Sequence, residues 1–302
     1  MRITLDWLGC ATFRLTIDDL VIFLDAYVDR IATAPPVGLT CADVQRADFI
    51  LVGHSHFDHI AGAEVIAQNT GAAIIGSNES CRVMKSAGVS TGQLLPSQGG
   101  ERYRLNDSVT VSVFPSLHAC LFTGPAGSLD EARTGDTGLT ETERAEAFAQ
   151  RSPFGAAGAG ITPEYRSSLL EHMRTATGSP RDGGALAYLI ETPAGSVFFQ
   201  DTSGSWTGVL AQIDADVAIL AASGRANENG EPYQGSLAAF IAMEAQLLGA
   251  RTVFLGHHDN WAGVPDFKAI DTSPLRTELA RSAPKAQLVD TGYLAATPLL
   301  MA

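Results

Sequence analysis

Positive charge is scarce in this sequence. Twenty Lys and Arg stand against 33 Asp and Glu, a formal net charge of −13. A groove that grips a nucleic-acid backbone needs a basic surface, so no nucleic-acid partner is expected; metal cations, by contrast, suit an acidic chain. Long apolar runs are missing too. None approaches the roughly 18–20 residues that a membrane span requires, so no membrane span is expected. The four cysteines, Cys10, Cys41, Cys81 and Cys120, are scattered without C-x-x-C spacing, which argues against a disulfide framework or a structural zinc site. The first residues, Met1 to Trp7, show no apolar signal core and no small-residue cleavage site. The expectation is a soluble cytoplasmic enzyme acting on a small molecule, with a homo-oligomer left open.

What is present is an ordinary apolar content, 45% of 302 residues, sufficient for one large α/β domain or two modest ones. Strand signals fall at Ile3–Trp7, Thr12–Ile17 and Leu20–Leu24, the last two separated by Asp18-Asp19 as a hairpin turn. The run Asp48-Phe49-Ile50-Leu51-Val52 reads as a strand buried on both faces. A helix at Ala61–Gln68, a strand at Ala72–Ile75, a helix at Asn78–Ser86 and a strand at Val109–Phe114 follow. From about 122 to 184 the rhythm breaks into Gly- and Pro-rich sequence around two helical segments. The first, near Thr140–Arg151, opens on a capping box at Thr140 and Glu143; the second, near Pro163–Thr175, has Pro in its first turn. Strands resume at Leu186–Ile190, Val197–Gln200, Val217–Leu220 and Thr252–Leu255, with a helix at Leu237–Leu248. A helix within Asp266–Arg281, broken by Pro274, and a strand at Gln287–Asp290 complete the pattern. Two mixed sheets covered by helices are expected, although strand–helix alternation alone permits several folds.

The chemistry gathers in His54-Ser55-His56-Phe57-Asp58-His59, immediately after the buried strand. Imidazoles at i and i+2 can point to one side of an extended segment, and the following turn can bring a carboxylate and a third imidazole beside them. Histidine suits zinc and similar ions, while carboxylate also tolerates manganese or iron. Such a site needs further ligands. His118 follows the strand at 109–114, Asp201 the strand at 197–200 and His257 the strand at 252–255, all at strand ends where α/β folds place their sites.

This ordered set, H-x-H-x-D-H and then His, Asp and His, resembles the metallo-β-lactamase superfamily over almost the whole chain outside the 122–184 segment. The resemblance implies an α/β fold, the αββα four-layer sandwich, here as one domain over 1–302 with an inserted helical lid at about 122–184. It implies two divalent metal ions, zinc first and manganese or iron as alternatives. His54, His56 and His118 would hold one, Asp58, His59 and His257 the other, and Asp201 would bridge them. His258 adjoins His257, but the His-aromatic-Asp-Asn-aromatic pattern favours His257 as the ligand. The His56 position disfavours redox iron chemistry, and Asp201 points towards the general hydrolases. The Gly-His-Ser-His-Phe-Asp-His-Ile loop is similar to the branch containing ascorbate-6-phosphate lactonase and the phosphodiesterases that cleave N-acyl phosphatidylethanolamine. The expected function is hydrolysis of an ester, lactone or amide by a hydroxide activated between two metals. Asp58 would orient that hydroxide, and His258 or a metal-bound water would protonate the leaving group. A phosphodiesterase and a non-catalytic metal-binding protein are the competing expectations. His172 is read as a solvated helix-face residue, and Trp206 and Trp261 as either pocket or core.

Overall fold

Apolar side chains at a period of two build two sheets whose inner faces meet. The computed structural model describes residues 1–124, 128–150, 161–267 and 269–299. One seven-stranded sheet has the order Thr297–Pro298, Ile3–Trp7, Phe13–Ile17, Leu20–Leu24, Phe49–Leu51, Ala73–Ser77, Leu94–Ser97. The other has the order Gln287–Leu288, Thr252–Gly256, Val217–Ala221, Gly195–Phe199, Leu186–Thr192, Thr110–Pro115, Arg102–Arg104. Both are mixed. The strands from Leu20–Leu24 to Leu94–Ser97 are parallel, as are those from Gly195–Phe199 to Gln287–Leu288, and the remaining neighbours in each sheet are antiparallel.

Alternation decides the layering. Leu15, Ile22 and Leu24 of the first sheet share one buried cluster with Val113, Tyr188, Val197 and Phe199 of the second. Their chain neighbours face outward. Phe23 and Ile50 pack with Ile66 and Met84 from the helices Ala63–Thr70 and Asn78–Ser86. Phe198 and Leu220 pack with Phe240 and Leu279 from the helices Leu237–Leu247 and Ser273–Ser282. The product is the four-layer αββα sandwich. Strands covered on both faces carry no polar alternation: Leu20–Leu24 and Val217–Ala221 are buried at every position.

Some local expectations shift. The helix expected at Ala61–Gln68 is a short turn, Phe57–Ile60, followed by Ala63–Thr70. Gly62 separates them at φ 99°, where a Cβ would lie 2.7 Å from the Ala26 carbonyl oxygen. Pro274 does not break the last helix; it sits in the first turn of Ser273–Ser282, where its missing N–H leaves no hydrogen bond unmade. The strands Leu94–Ser97 and Arg102–Arg104 were not expected. Each lies at a sheet edge, mixed in polarity, and Pro96 is tolerated in such a position.

Between Thr110–Pro115 and Leu186–Thr192, which are antiparallel neighbours, lie the helices Glu141–Gln150 and Pro163–Thr175. The capping box forms: Glu143 N–H donates to Thr140 Oγ1 at 3.3 Å, and Thr140 N–H donates to Glu143 Oε2 at 2.8 Å. Residues 125–127 and 151–160 of this segment, with Arg151 as the expected helix end, lie outside the described residues. Among the described residues, no helix is long and apolar enough to cross a membrane.

Two buried polar side chains allow the packing to be tested. Tyr188 of the second sheet donates its hydroxyl across the inner layer to Val52 O of the first at 2.6 Å. Tyr188→Phe is expected to lower unfolding stability by about 1–2 kcal/mol in denaturant titration, because a buried acceptor loses its donor. Glu244 is buried in Leu237–Leu247 and accepts from Gln200 Nε2 at 3.0 Å. Burial outweighs its hydrogen bond from Gln200 and pushes its carboxyl up to about 8. Its folded pKa exceeds its unfolded one, so the native state binds the proton more tightly and stability declines as pH rises from the unfolded value towards 8. Thermal unfolding of Glu244→Gln should match the parent near pH 5 and exceed it near pH 8; parallel curves would refute this assignment.

Candidate metal centre

Six strands end at one edge of the sandwich, and the residues just beyond them converge. Leu20–Leu24 leads to Asp25, Phe49–Leu51 to His54 through His59, Thr110–Pro115 to His118, Gly195–Phe199 to Asp201 and Thr252–Gly256 to His257. Ile3–Trp7 leads to the tight turn at Cys10.

His54, His56 and His118 form a first donor set. His54 Nε2 is 3.0 Å from His56 Nδ1, and the His118 ring centroid is 4.7 Å and 4.8 Å from theirs. Two nitrogens bound to one tetrahedral zinc lie about 3.3 Å apart, so a shared proton or a cation satisfies this spacing. The far nitrogens are occupied. His54 Nδ1 donates to Asp201 Oδ2 at 2.6 Å, and His118 Nδ1 donates to the Ala119 carbonyl at 2.8 Å. Such outer bonds fix the tautomer and leave Nε2 free for a ligand.

Asp58, His59 and His257 meet alongside. His257 Nε2 is 3.1 Å from His59 Nε2 and 3.8 Å from Asp58 Oδ2, while His59 Nε2 is 3.6 Å from that oxygen. His59 Nδ1 donates to Asp25 Oδ2 at 2.7 Å. Asp201 stands between the sets, its Oδ2 2.6 Å from His54 Nδ1 and 3.2 Å from His59 Nδ1. Asp201 Oδ1 is buried with no hydrogen-bond partner. An orphaned carboxylate oxygen among imidazoles suits a cation.

Electrostatics prepare the groups for that role. Burial pulls His54 down to about 3 against the opposing charge of Asp201. Burial, followed by the neighbouring imidazoles, also lowers His56, and burial followed by His59 lowers His257 well below the ordinary value. These rings are therefore neutral, as ligands must be. His59 differs. Burial opposes its protonation, but Asp58, Asp201 and Asp25 together raise it well above the ordinary value. Burial would raise Asp201, yet His54 and His59 hold it well below the carboxylate range.

The structure turns His258 away from the donor sets. Its ring stacks on Trp7 at 4.4 Å and 8°, and its Nδ1 is buried without a partner. Packed on Trp7, His258 belongs to none of the donor groups among the described residues, which does not favour the expected proton-donor role. His172 is half-buried rather than solvated, its Nε2 2.8 Å from the Tyr27 hydroxyl. Trp261 meets the His257 ring edge-on at 5.4 Å, whereas Trp206 is exposed. Arg225 is buried and paired with Asp136 at 2.9 Å, and Arg30 is paired with Asp259 beside the donor sets.

Sequence reasoning missed Asp25 and Cys10. Asp25 accepts from both His59 Nδ1 and the Gly53 N–H, the latter at 2.9 Å. Its signal is the one that marked Asp201: an acidic residue directly after an all-apolar strand. Cys10 Sγ lies 3.5 Å from His257 Nε2 and joins a donor set with Asp58 and His257.

Residues 21–140 match a family described as "Beta-lactamase superfamily domain". A "UPF0173 metal-dependent hydrolase" of Pyrobaculum islandicum is 32% identical over 139 residues, covering 44% of this chain and 61% of that protein. The chain thus spans about three fifths of that relative's length. Igni18, a metallo hydrolase from Ignicoccus hospitalis, superposes with a TM-score of 0.61 at 14% identity, covering 99% of this chain and 98% of Igni18. The metallo-β-lactamase fold protein YhfI from Bacillus subtilis superposes with a TM-score of 0.56 at 11% identity over 97% of this chain and 98% of YhfI.

A backbone constraint and an outer carboxylate make the centre testable. A Cβ on Gly53 would lie 2.1 Å from the Asp201 carboxylate carbon. Gly53→Ala is expected to displace Asp201 and lower bound metal per chain, measured by elemental analysis. Asp25→Ala should weaken metal binding about 10–100-fold, the usual cost of losing a carboxylate behind a ligating histidine. Unchanged metal affinity in both variants would refute these roles.

Proposed function

We propose that this chain, whose fold and matched segment are those of the metallo-β-lactamase superfamily, is a metal-dependent hydrolase of a small-molecule ester, lactone or amide with a dinuclear centre. The observation that carries the reading is the convergence of seven candidate donor residues from four strand ends, close enough to group as His54–His56–His118, His54–His59–Asp201 and, with Cys10, Asp58–His257. His54, His56 and His118 would hold one ion, and Asp58, His59 and His257 the other, with Asp201 between them. Zinc fits the imidazole-rich sets best, with manganese and iron as alternatives. Such ions supply a water made acidic near neutral pH and a Lewis acid for the substrate's oxygen.

The chain's own residues do the rest. Asp25 and the Ala119 carbonyl hold the His59 and His118 rings through Nδ1. Asp58, the most exposed of the three carboxylates, would orient the attacking water by accepting its hydrogen bond. Tyr27, Phe57, His172 and Trp261 form an aromatic group beside His257, to which the helix Pro163–Thr175 contributes His172. We read this helix as part of a lid that shapes the acyl side of the pocket. A serine nucleophile fits poorly. Gly88-Val89-Ser90-Thr91-Gly92 has the Gly-x-Ser-x-Gly spelling, but Ser90 is exposed before the short turn Thr91–Gln93 rather than on a strand-to-helix elbow. Arg225 and Arg30 are each held in an ion pair, with Asp136 and Asp259, which favours acyl over phosphodiester substrates.

Metal-loaded protein should therefore hydrolyse lactones or aryl esters faster than bis-aryl phosphodiesters. Asp58→Asn should lower kcat/KM by about 10²-fold or more. Fewer than one metal per chain after reloading, or no turnover across the panel, would refute the proposal.

A further inference from the structure

The turn Gly9-Cys10 is built into the centre more tightly than a hairpin requires. Cys10 holds a left-handed backbone at φ 49°, and His257 does the same at φ 63°. The two are tied together: His257 N–H donates to Cys10 O at 2.8 Å, and Trp7 Nε1 donates to the same oxygen at 3.0 Å. Cys10 N–H donates to Asp259 Oδ1 at 3.1 Å, and Asp259 is itself held by Arg30 at 2.5 Å and by Tyr293 Oη at 2.6 Å. This scaffold aims the sulfur at the second donor set. Cys10 Sγ is 3.5 Å from His257 Nε2, and Cys10, Asp58 and His257 each offer one donor atom within 4.8 Å of the others. A thiolate and an imidazole bound to one tetrahedral zinc, at 2.3 Å and 2.0–2.1 Å, are about 3.5 Å apart. The neighbouring Asp201, which reaches His59 of the same set, keeps Oδ1 buried and unpartnered. Like Cys41, Cys81 and Cys120, whose sulfurs lie against the carbonyls of Ala26, Gly76 and Ala226, Cys10 Sγ meets a backbone carbonyl, Asp58 O at 3.5 Å; it differs in also meeting the His257 ring.

We infer that Cys10 is a ligand, and that the second metal position is a Cys10–Asp58–His59–His257 set rather than one of imidazole and carboxylate alone. The inference rests on the two-metal reading proposed above. On binding, the S–H bond is replaced by a sulfur–metal bond and the proton leaves to solvent. A soft thiolate makes this position selective for zinc over manganese, whereas the first set has no sulfur and discriminates less. The two positions are therefore chemically unlike.

Cobalt(II) titration of the metal-free protein is the test. The expected result is an intense near-ultraviolet thiolate-to-cobalt absorption as the second ion binds. It should persist in Cys41→Ala, Cys81→Ala and Cys120→Ala and be lost in Cys10→Ser, which still binds the first ion. X-ray absorption of the zinc-loaded parent needs no substitution and should show a sulfur neighbour at about 2.3 Å. Two bound ions with only nitrogen and oxygen neighbours, or an absorption that survives Cys10→Ser, would overturn the thiolate ligand and leave the hydrolase reading intact. Failure of the reloaded parent to bind metal would overturn both.

Discussion

Asp201 is fully buried where the two sheets meet, its Oδ2 shared by the Nδ1 atoms of His54 and His59. Taking a carboxylate out of water costs several kcal/mol unless charge and hydrogen bonds offset the loss. The two imidazoles supply that compensation, and they come from the opposite sheet. Gly53 is the condition for the contact, since any side chain there would occupy the carboxylate's space. Tyr188 ties the same strand end through Val52 O. The candidate centre is thus part of what joins the halves of the sandwich.

The ionisable groups around that contact shift one another. Asp58, Asp201 and Asp25 push His59 up against its burial, while burial pushes Asp25 up to about 8 and lowers His54, His56 and His257. Metal ligands must shed their protons, so metal binding at these groups would be linked to pH.

Around this core the loops differ in what they are free to do. The 257–259 loop is committed on both sides: His257 faces the donors, His258 packs on Trp7, and Asp259 holds Cys10 and Arg30. The helix Pro163–Thr175 meets the centre through His172 with Tyr27 and aromatic packing against Phe57, and is fastened beside it by the Tyr165 hydroxyl donating to Ala262 O at 2.8 Å and by Leu169 packed with Ile31. A fold alone does not name the substrate.

The sandwich and the His54–His59 loop were legible in the sequence because both are local. Burial on two faces writes itself as unbroken apolar runs such as Leu20–Leu24, and candidate ligands within one six-residue segment need no tertiary contact to be recognised as a group. His118, Asp201 and His257 were legible at one remove, as polar residues within three positions after apolar strands. Tertiary structure alone decided the rest. The chain turns at Gly62 in a left-handed conformation where a Cβ would meet Cys41 Sγ and Ala26 O, and the register of the last helix places Pro274 in its first turn. Between adjacent histidines, the left-handed backbone at His257 and the Trp7 ring under His258 chose the one that faces the donors. Cys10 and Asp25 stay silent in the sequence because what makes them donors is distance: 247 residues separate Cys10 from the imidazole it touches, and only the folded chain brings them together.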